Sequence, residues 1–204
     1  MQTDMMKKVL GVGGSPRQGG NSDIILKHIL QGAAEAGAAT EEVQLRDYQF
    51  EGCIGCERCR KAGECTGLND GMQLIYPKIR QAAGLVVICP VYSYNVTAIM
   101  KAFIDRLYSF YEFSEQRPGP WRSRLGGQGR QAIIAAVGEQ ATGEEGGMDL
   151  TMETIRRSIL ALGYEIVAEL PVLGVFQKGR VKERPEVLEK ATELGKKLAA
   201  ALPV

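Results

Sequence analysis

Four of the five cysteines fall within the segment CIGCERCRKAGEC at 53–65. Their spacing is C-x2-C-x2-C-x5-C, which crowds three sulfurs into seven residues. The same C-x2-C-x2-C opening lets one loop of a bacterial ferredoxin supply three thiolates to a cubane, whereas structural zinc usually joins two more distant C-x2-C units. The spacing favours a [4Fe-4S] cluster, and zinc or ligand-free thiols are the alternatives. The predicted ligands are Cys53, Cys56, Cys59 and Cys65.

A glycine-rich segment, GVGGSPRQGGNSD at 11–23, could bind a phosphate. It is not a dinucleotide fingerprint, because Pro16 replaces a required glycine, and it lacks the Lys-Ser/Thr pair of a Walker A loop. What remains is a small polar loop between a strand and a helix N-terminus, which suits a mononucleotide phosphate. A plain flexible turn is the alternative. The candidate donors are Ser15, Arg17, Asn21 and Ser22.

Two further loops carry groups that suit a flat ring. The segment CPVYSYNVTAIMK at 89–101 offers aromatic and hydrogen-bonding side chains, and VGEQATGEEGG at 137–147 offers glycines that allow close approach of the backbone. Together they predict a slot for a planar heterocycle, although the tyrosines could simply cover the sheet and the last glycines could simply start a helix. The candidate residues are Pro90, Tyr92, Ser93, Asn95, Gly138, Gly143, Gly146 and Gly147.

The elements that position these loops alternate regularly along the chain. Short β-branched runs predict strands at 7–14, 40–47, 84–92, 130–138 and 165–173, and helical patterns lie at 21–37, 71–83, 97–111, 148–163 and 185–202. Pro77 should kink or divide the second helix. Such alternation predicts an α/β fold, a doubly wound five-stranded parallel sheet of order 2-1-3-4-5 with helices on both faces. Its strand-to-helix loops all meet at the carboxyl edge, where ligands bind.

Length and composition indicate a single domain over 1–204, with a cysteine-rich loop at 52–66. The segment 112–130 is rich in Gly, Pro and Arg, and we interpret it as a solvated loop, with a lid or subunit contact as the alternative. With 25 basic and 24 acidic side chains, nothing favours nucleic acid as a partner. No apolar run predicts a membrane span or signal peptide, so we expect a cytoplasmic protein, in which clustered cysteines are metal-binding or redox groups.

These motifs resemble the iron-sulfur flavoproteins, a branch of the NAD(P)H-dependent FMN reductase-like proteins with a flavodoxin-like fold. The resemblance covers nearly the whole chain. It is carried by the segments GGSPRQGGNSD, CIGCERCRKAGEC and CPVYSYNVTAIMKAFIDR. It implies that the phosphate of FMN binds at Ser15, Arg17, Asn21 and Ser22, and that the flavin ring is lined by Pro90, Tyr92, Ser93 and Asn95 and covered by 138–147. It also implies that the four cysteines hold a [4Fe-4S] cluster.

The resemblance also implies a homo-oligomer, a homodimer or homotetramer, in which electrons pass between flavin and cluster. Its redox partners would be a protein such as ferredoxin, or NAD(P)H. We therefore interpret the chain as an electron-transfer flavoprotein without a catalytic acid or base of its own. The alternatives are an NAD(P)H-dependent FMN or quinone reductase without a cluster, and a non-catalytic flavin-binding regulator. The flavin should be FMN rather than FAD, because only one phosphate loop is evident.

Overall fold

A parallel five-stranded sheet forms the centre of the computed structural model, which describes residues 7–141 and 147–203. The strands of the chain are β1 Lys8–Gly13, β2 Ala39–Gln44, β3 Gly84–Pro90, β4 Tyr111–Phe113, β5 Trp121–Ser123, β6 Gln131–Val137 and β7 Glu165–Val172. The central sheet has the order β2-β1-β3-β6-β7. This order confirms the predicted 2-1-3-4-5 topology, since β6 and β7 are its fourth and fifth strands.

The middle strands are apolar along their whole length because both of their faces are covered. In the register of the sheet, Val12 lies between Val43 and Val87, and Val87 lies beside Ile134. Residues next to each other along β3 enter different cores: Val87 packs on one face and Val86 on the other. A strand buried on both faces therefore has no polar alternation, as the sequence shows.

Six helices lie among the described residues: α1 Asn21–Glu35, α2 Cys59–Ala62, α3 Met72–Gln81, α4 Ala98–Arg106, α5 Met148–Leu162 and α6 Pro185–Ala201. Five of them cover the two faces of the sheet, whereas α2 is a single turn in the cysteine loop that buries none of its residues. Ile25 of α1 packs in the same core as Leu198 of α6. Phe103 of α4 and Ile155 of α5 share the opposite core with α3. None of the helices in this part of the chain is long and apolar enough to cross a membrane.

Local structure departs from expectation at two places. Helix α3 runs through Pro77, so of the two outcomes expected at this proline, a kink or a division, the division does not occur. The segment 112–130 is not a plain solvated loop, because β4 and β5 pair in it as an antiparallel ribbon that places Phe113 opposite Trp121. The rings of Tyr111 and Trp121 lie 5.0 Å apart, and this aromatic packing stabilises two strands that are too short to show an alternating pattern.

Candidate functional sites

A pocket of about 320 Å³ opens at the carboxyl edge of the sheet, and we call it the edge pocket. The loops that follow β1, β3, β6 and β7 line it. The direction of winding reverses between β1 and β3, which are neighbours in the sheet, and the loops after both strands line the pocket, so this is the position at which a doubly wound sheet binds ligands. Of the predicted residues, it contains Ser15, Arg17, Asn21, Ser22, Pro90, Tyr92 and Ser93.

The phosphate loop between β1 and α1 is held in shape by its own hydrogen bonds. The Ser15 hydroxyl accepts a bond of 3.2 Å from the backbone N–H of Arg17, and the Asp23 carboxylate accepts one of 2.7 Å from Gly19. Arg46 in turn donates to both oxygens of Asp23, at 3.0 and 2.8 Å. A loop fixed in this way presents the first turn of α1 to the pocket, and the N–H groups there have no acceptor within the helix.

The Asn21 side chain has two contacts that the sequence did not predict. Its side-chain amide donates to the Gln177 carbonyl at 2.9 Å, and its oxygen accepts from the backbone of Val181 at 3.1 Å. Both polar ends of the side chain therefore position the segment after β7 against α1. Asn21 also lines the edge pocket, and its bond to a phosphate stays a prediction.

The loop after β3 forms a tight turn at the mouth of the pocket. Tyr92 and Asn95 exchange backbone hydrogen bonds of 2.8 and 3.0 Å across it. The two central residues, Ser93 and Tyr94, have φ values of 45° and 67°, a conformation that side chains other than glycine rarely adopt. Such strain persists only where its surroundings enforce it, and it is common at ligand sites. Tyr92 lines the pocket and is partly exposed.

Asn95 does not line the edge pocket, contrary to expectation. Its side-chain oxygen accepts hydrogen bonds from the Val96 N–H at 2.8 Å and from the Thr154 hydroxyl at 3.0 Å. These bonds connect the β3 loop to α5. The side-chain oxygen therefore positions the turn, and a contact of Asn95 with the ring stays a prediction.

The loop after β6 is only partly described. Gly143 and Gly146 lie outside the described residues, whereas Gly138 directly follows β6 and Gly147 directly precedes α5. Gly147 has a φ of 75°, and a Cβ atom there would collide with the backbone of Tyr94. The glycine therefore lets two pocket loops pack directly on each other. The pocket itself is lined at this point by Glu139 and Gln140.

The segment after β7 contributes a wall that sequence reasoning missed. Val175, Phe176 and Lys178 all line the edge pocket. The Arg17 guanidinium lies over the Phe176 ring, 5.3 Å from its centroid, and Lys178 lies beside Gly19. Two cationic side chains therefore flank the phosphate loop. Only the arginine could be found from the sequence, because Lys178 follows a strand in a segment without a recognisable motif.

The four clustered cysteines line a second cavity of about 350 Å³, which we call the cysteine cavity. All four are free thiols; Cys53 and Cys56 are exposed, and Cys59 and Cys65 are half-buried. In the described part of the chain, no three Cys, His, Asp or Glu side chains are arranged round a single metal ion. The four thiols nevertheless all border the same cavity.

The backbone of the cysteine loop leaves room for sulfur. A Cβ atom at Gly67 would collide with the Cys56 Sγ, so only glycine allows this sulfur its position. Glu57 adopts a left-handed conformation with a φ of 54°, and its carboxylate forms an ion pair with Arg117 near the β4–β5 ribbon. The strained residue is therefore held from outside the loop.

Arg106, the last residue of α4, forms the inner wall of the cysteine cavity. It is 2% exposed and makes a bidentate pair with Asp70 at 2.7 and 3.0 Å. Its Nη2 also donates to the Cys65 sulfur at 3.5 Å. Sequence reasoning missed both charged residues, because a basic residue at a helix C-terminus ordinarily interacts only with the helix dipole.

These surroundings affect the two half-buried thiols differently. Burial and the neighbouring sulfurs raise the pKa of Cys59. Burial also acts to raise the pKa of Cys65, but the Leu68 and Gly67 amides and the Arg106 charge outweigh it, and the net shift is downward. A cysteine binds a metal as the thiolate, and Cys65 loses its proton more readily than Cys59 because its pKa is lowered.

Cys89, the fifth cysteine, lies in the core. It is fully buried in β3, and its sulfur accepts a hydrogen bond of 3.3 Å from the Thr97 backbone. Burial raises the pKa of this thiol to about 11. It is therefore a neutral packing residue, and it lies apart from the four clustered cysteines.

Residues 7–156 match the family model of the NADPH-dependent FMN reductases. The chain belongs to this family. An iron-sulfur flavoprotein of Methanocaldococcus jannaschii is 33% identical over 199 residues, which cover 94% of this chain and 95% of the relative. This member of the FMN reductase family therefore belongs to its iron-sulfur flavoprotein branch, as the motifs indicated. It is a flavin-dependent oxidoreductase.

Solved structures agree on the fold of this FMN reductase family member. An NAD(P)H:quinone oxidoreductase from Methanothermobacter marburgensis has a TM-score of 0.73 at 20% identity, and the match covers 94% of this chain and 98% of that chain. A flavodoxin from the domain Archaea has a TM-score of 0.55 at 15% identity, covering 95% and 96% of the two chains. The flavodoxin-like fold is thereby confirmed.

Proposed function

We propose that this protein is an electron-transfer flavoprotein that binds FMN in the edge pocket and a [4Fe-4S] cluster in the cysteine cavity. The observation that carries the proposal is that one chain has two separate sites, whose lining residues do not overlap. One site has a phosphate loop and aromatic walls, and the other is bordered by four thiols. The names of the relatives support the same pair of cofactors.

In the edge pocket, the loop side chains and the first turn of α1 would bind the FMN phosphate. Arg17 and Lys178 supply positive charge, and Ser15 shapes the loop. The ring would lie against Pro90 and Tyr92, with Glu139 and Gln140 on the side of the β6 loop and Phe176 on the wall after β7. When bound, FMN exchanges electrons either singly or in pairs, so that a nicotinamide and a one-electron carrier can both use it.

In the cysteine cavity, Cys53, Cys56, Cys59 and Cys65 would be the ligands. The cavity lies beside α4 and the cysteine loop, and its exposed side is formed by Cys53, Cys56 and Ile54. When bound, a cluster there passes single electrons. The chain itself contributes orientation, partial burial and hydrogen bonds to sulfur, which are the features through which a protein adjusts such a group.

The partners follow from this division of roles. NAD(P)H is the donor suggested by the family, and a one-electron protein such as ferredoxin would exchange electrons at the exposed side of the cysteine cavity. We also propose a homodimer or homotetramer in the cytoplasm. Large apolar side chains at the surface, including Ile54 and Trp121, support self-association, which size-exclusion chromatography with light scattering would measure.

A plain NAD(P)H-dependent FMN or quinone reductase is the second candidate. The family description favours it, because it names NADPH and FMN without a cluster. In that case the cysteines would be structural or zinc-bound thiols, and the edge pocket alone would carry the activity.

Elemental analysis of anaerobically purified wild-type protein separates the two. The proposal predicts about four iron and four sulfide per chain together with one FMN. One FMN with zinc or without metal, combined with rapid NAD(P)H oxidation, would establish the plain reductase instead.

A further inference from the structure

A buried charged network joins the cysteine cavity to the protein core. Besides its two bonds to Asp70, the Arg106 guanidinium donates to the Tyr76 hydroxyl at 3.1 Å and to the Glu51 carbonyl at 2.8 Å. Asp70 also accepts from the backbone N–H groups of Glu51 and Met72, both at 3.1 Å. The network therefore holds the start of the cysteine loop, the start of α3 and the end of α4 together.

Stability alone does not account for this arrangement. Removing an arginine and a carboxylate from water costs several kcal/mol per ion, and apolar residues of similar size often fill such a place equally well. The network instead fixes one guanidinium N–H 3.5 Å from the Cys65 sulfur. Because the other donors are engaged by Asp70, Tyr76 and Glu51, this N–H is prevented from turning away from the sulfur.

We propose that Arg106 is a positioning residue that sets the reduction potential of the group bound at the four cysteines, by holding positive charge and an N–H donor against the Cys65 sulfur. This inference rests on the proposed cluster. Reduction adds negative charge to an iron-sulfur cluster, and hydrogen bonds to its sulfurs favour the reduced form. Arg106 therefore raises the potential, and its effect reaches the cluster through Cys65 rather than through the exposed cysteines.

The test compares midpoint potentials in anaerobic redox titrations followed by electron paramagnetic resonance. Arg106→Met removes the charge and the donor at similar volume, but it leaves the Asp70 carboxylate unpaired. The double variant Arg106→Met/Asp70→Asn removes both charges together and so leaves no unpaired carboxylate. A change in its midpoint potential therefore measures the loss of the positive charge and the N–H donor at the Cys65 sulfur. Arg106→Lys keeps the charge without the planar fork.

A second buried arginine provides the matched control. Arg130 is 3% exposed and donates to the Ala82 carbonyl and to the Tyr164 hydroxyl at the amino edge of the sheet. Arg130→Lys replaces a guanidinium that is similarly buried but does not line the cysteine cavity. This variant should keep the wild-type potential.

We expect Arg106→Met to shift the reduction equilibrium at least tenfold toward the oxidised form, which is about 59 mV for one electron. The midpoint potentials of the double variant and of Arg106→Lys should shift in the same direction by a smaller amount.

An unchanged potential in the double variant and in Arg106→Lys, with iron and sulfide at wild-type levels, would overturn the role of Arg106. Folded variants that lose the cluster entirely would also overturn it, since Arg106 would then serve assembly. If Arg106→Met fails to fold, the midpoint potential of Arg106→Lys decides whether Arg106 has this role.

Failure of the proposed function is distinguished at the first step. Wild-type protein without iron and sulfide would overturn the cluster assignment itself, and this inference with it, before any variant is compared. Wild-type protein with a full cluster leaves the potentials of the variants as the test of Arg106 alone.

Discussion

At the scale of single residues, both candidate sites depend on arginines that have different surroundings. Arg17 is exposed, lies over Phe176 and borders the phosphate loop, so its charge is available to a ligand. Arg106 is buried and its donors are engaged, so its charge acts on a fixed neighbour. The sequence identified the first because it stands in a recognisable loop. The second could not be identified, because its partners Asp70 and Cys65 are 36 and 41 residues away along the chain.

Arg17→Ala should weaken FMN binding by about 1 to 3 kcal/mol, the usual contribution of a hydrogen bond to a charged group. Flavin fluorescence during titration of the apoprotein measures the dissociation constant. Arg122→Ala is the control, since Arg122 is an exposed arginine in β5 that pairs with Glu112 outside the edge pocket. Equal affinities for wild type and Arg17→Ala would argue against the phosphate site.

Asp70 should make the stability of the cysteine region pH-dependent. Burial acts against its charge, but Arg106 and the Glu51 and Met72 amides lower the pKa of Asp70 on balance. A lowered folded-state pKa means that its contribution is complete above the unfolded value of about 3.9 and is lost as the pH falls through the folded value. Asp70→Asn should therefore cost about 3 to 5 kcal/mol of unfolding free energy at neutral pH, because it breaks a buried pair.

Denaturant unfolding of wild type and Asp70→Asn between pH 7 and strongly acidic conditions measures this effect. The difference between the two proteins should begin to shrink below about pH 4, where the unfolded chain takes up the proton first, and should disappear once the pH falls below the lowered pKa of Asp70 in the folded protein. A difference that stays constant down to acid pH would show that the Asp70 charge is not what stabilises the network.

At the scale of elements, the sequence predicted the position of the strand-to-helix loops. It did not predict the long-range contacts that hold the wall after β7 and the β4–β5 ribbon in place. Strict alternation of β-branched runs and helical patterns determined the strand order and so brought the β1, β3 and β6 loops to one edge. The wall after β7 depends on Asn21, whose side chain contacts Gln177 across 156 residues. The β4–β5 ribbon depends on ring packing between Tyr111, Phe113 and Trp121. Neither contact has a local pattern in the sequence.

Asn21→Ala should lower the free energy of unfolding by about 1 to 3 kcal/mol, because it leaves the buried N–H of Val181 and the part-buried carbonyl of Gln177 without their partner. The exposed Gln18→Ala in the same loop is the control and should stay close to wild type. Denaturant unfolding measures both. If Asn21→Ala were as stable as wild type but bound FMN weakly, Asn21 would be the phosphate ligand that the sequence first indicated.

At the scale of the whole molecule, the carboxyl edge of the sheet carries the predicted phosphate loop between β1 and α1, which lines the edge pocket of about 320 Å³. Among the described residues, no other loop that borders this pocket combines glycines with both hydroxyl and cationic side chains. The bound flavin should therefore be FMN, and chromatography of the cofactor released by acid or heat identifies it. Recovery of FAD would show that the pocket was misinterpreted.

The central claim is that one chain holds a flavin and a cluster at separate sites, and Cys65→Ser tests it most directly. Replacing one soft thiolate by a largely protonated hydroxyl should sharply lower the iron and sulfide content, while the FMN content persists because other loops bind it. Cys89→Ser removes a core thiol and should keep the cluster even if stability falls. Iron, sulfide, zinc and flavin per chain are measured anaerobically in all three proteins. A Cys65→Ser protein with a normal cluster, or wild type with zinc or no metal, would contradict the account.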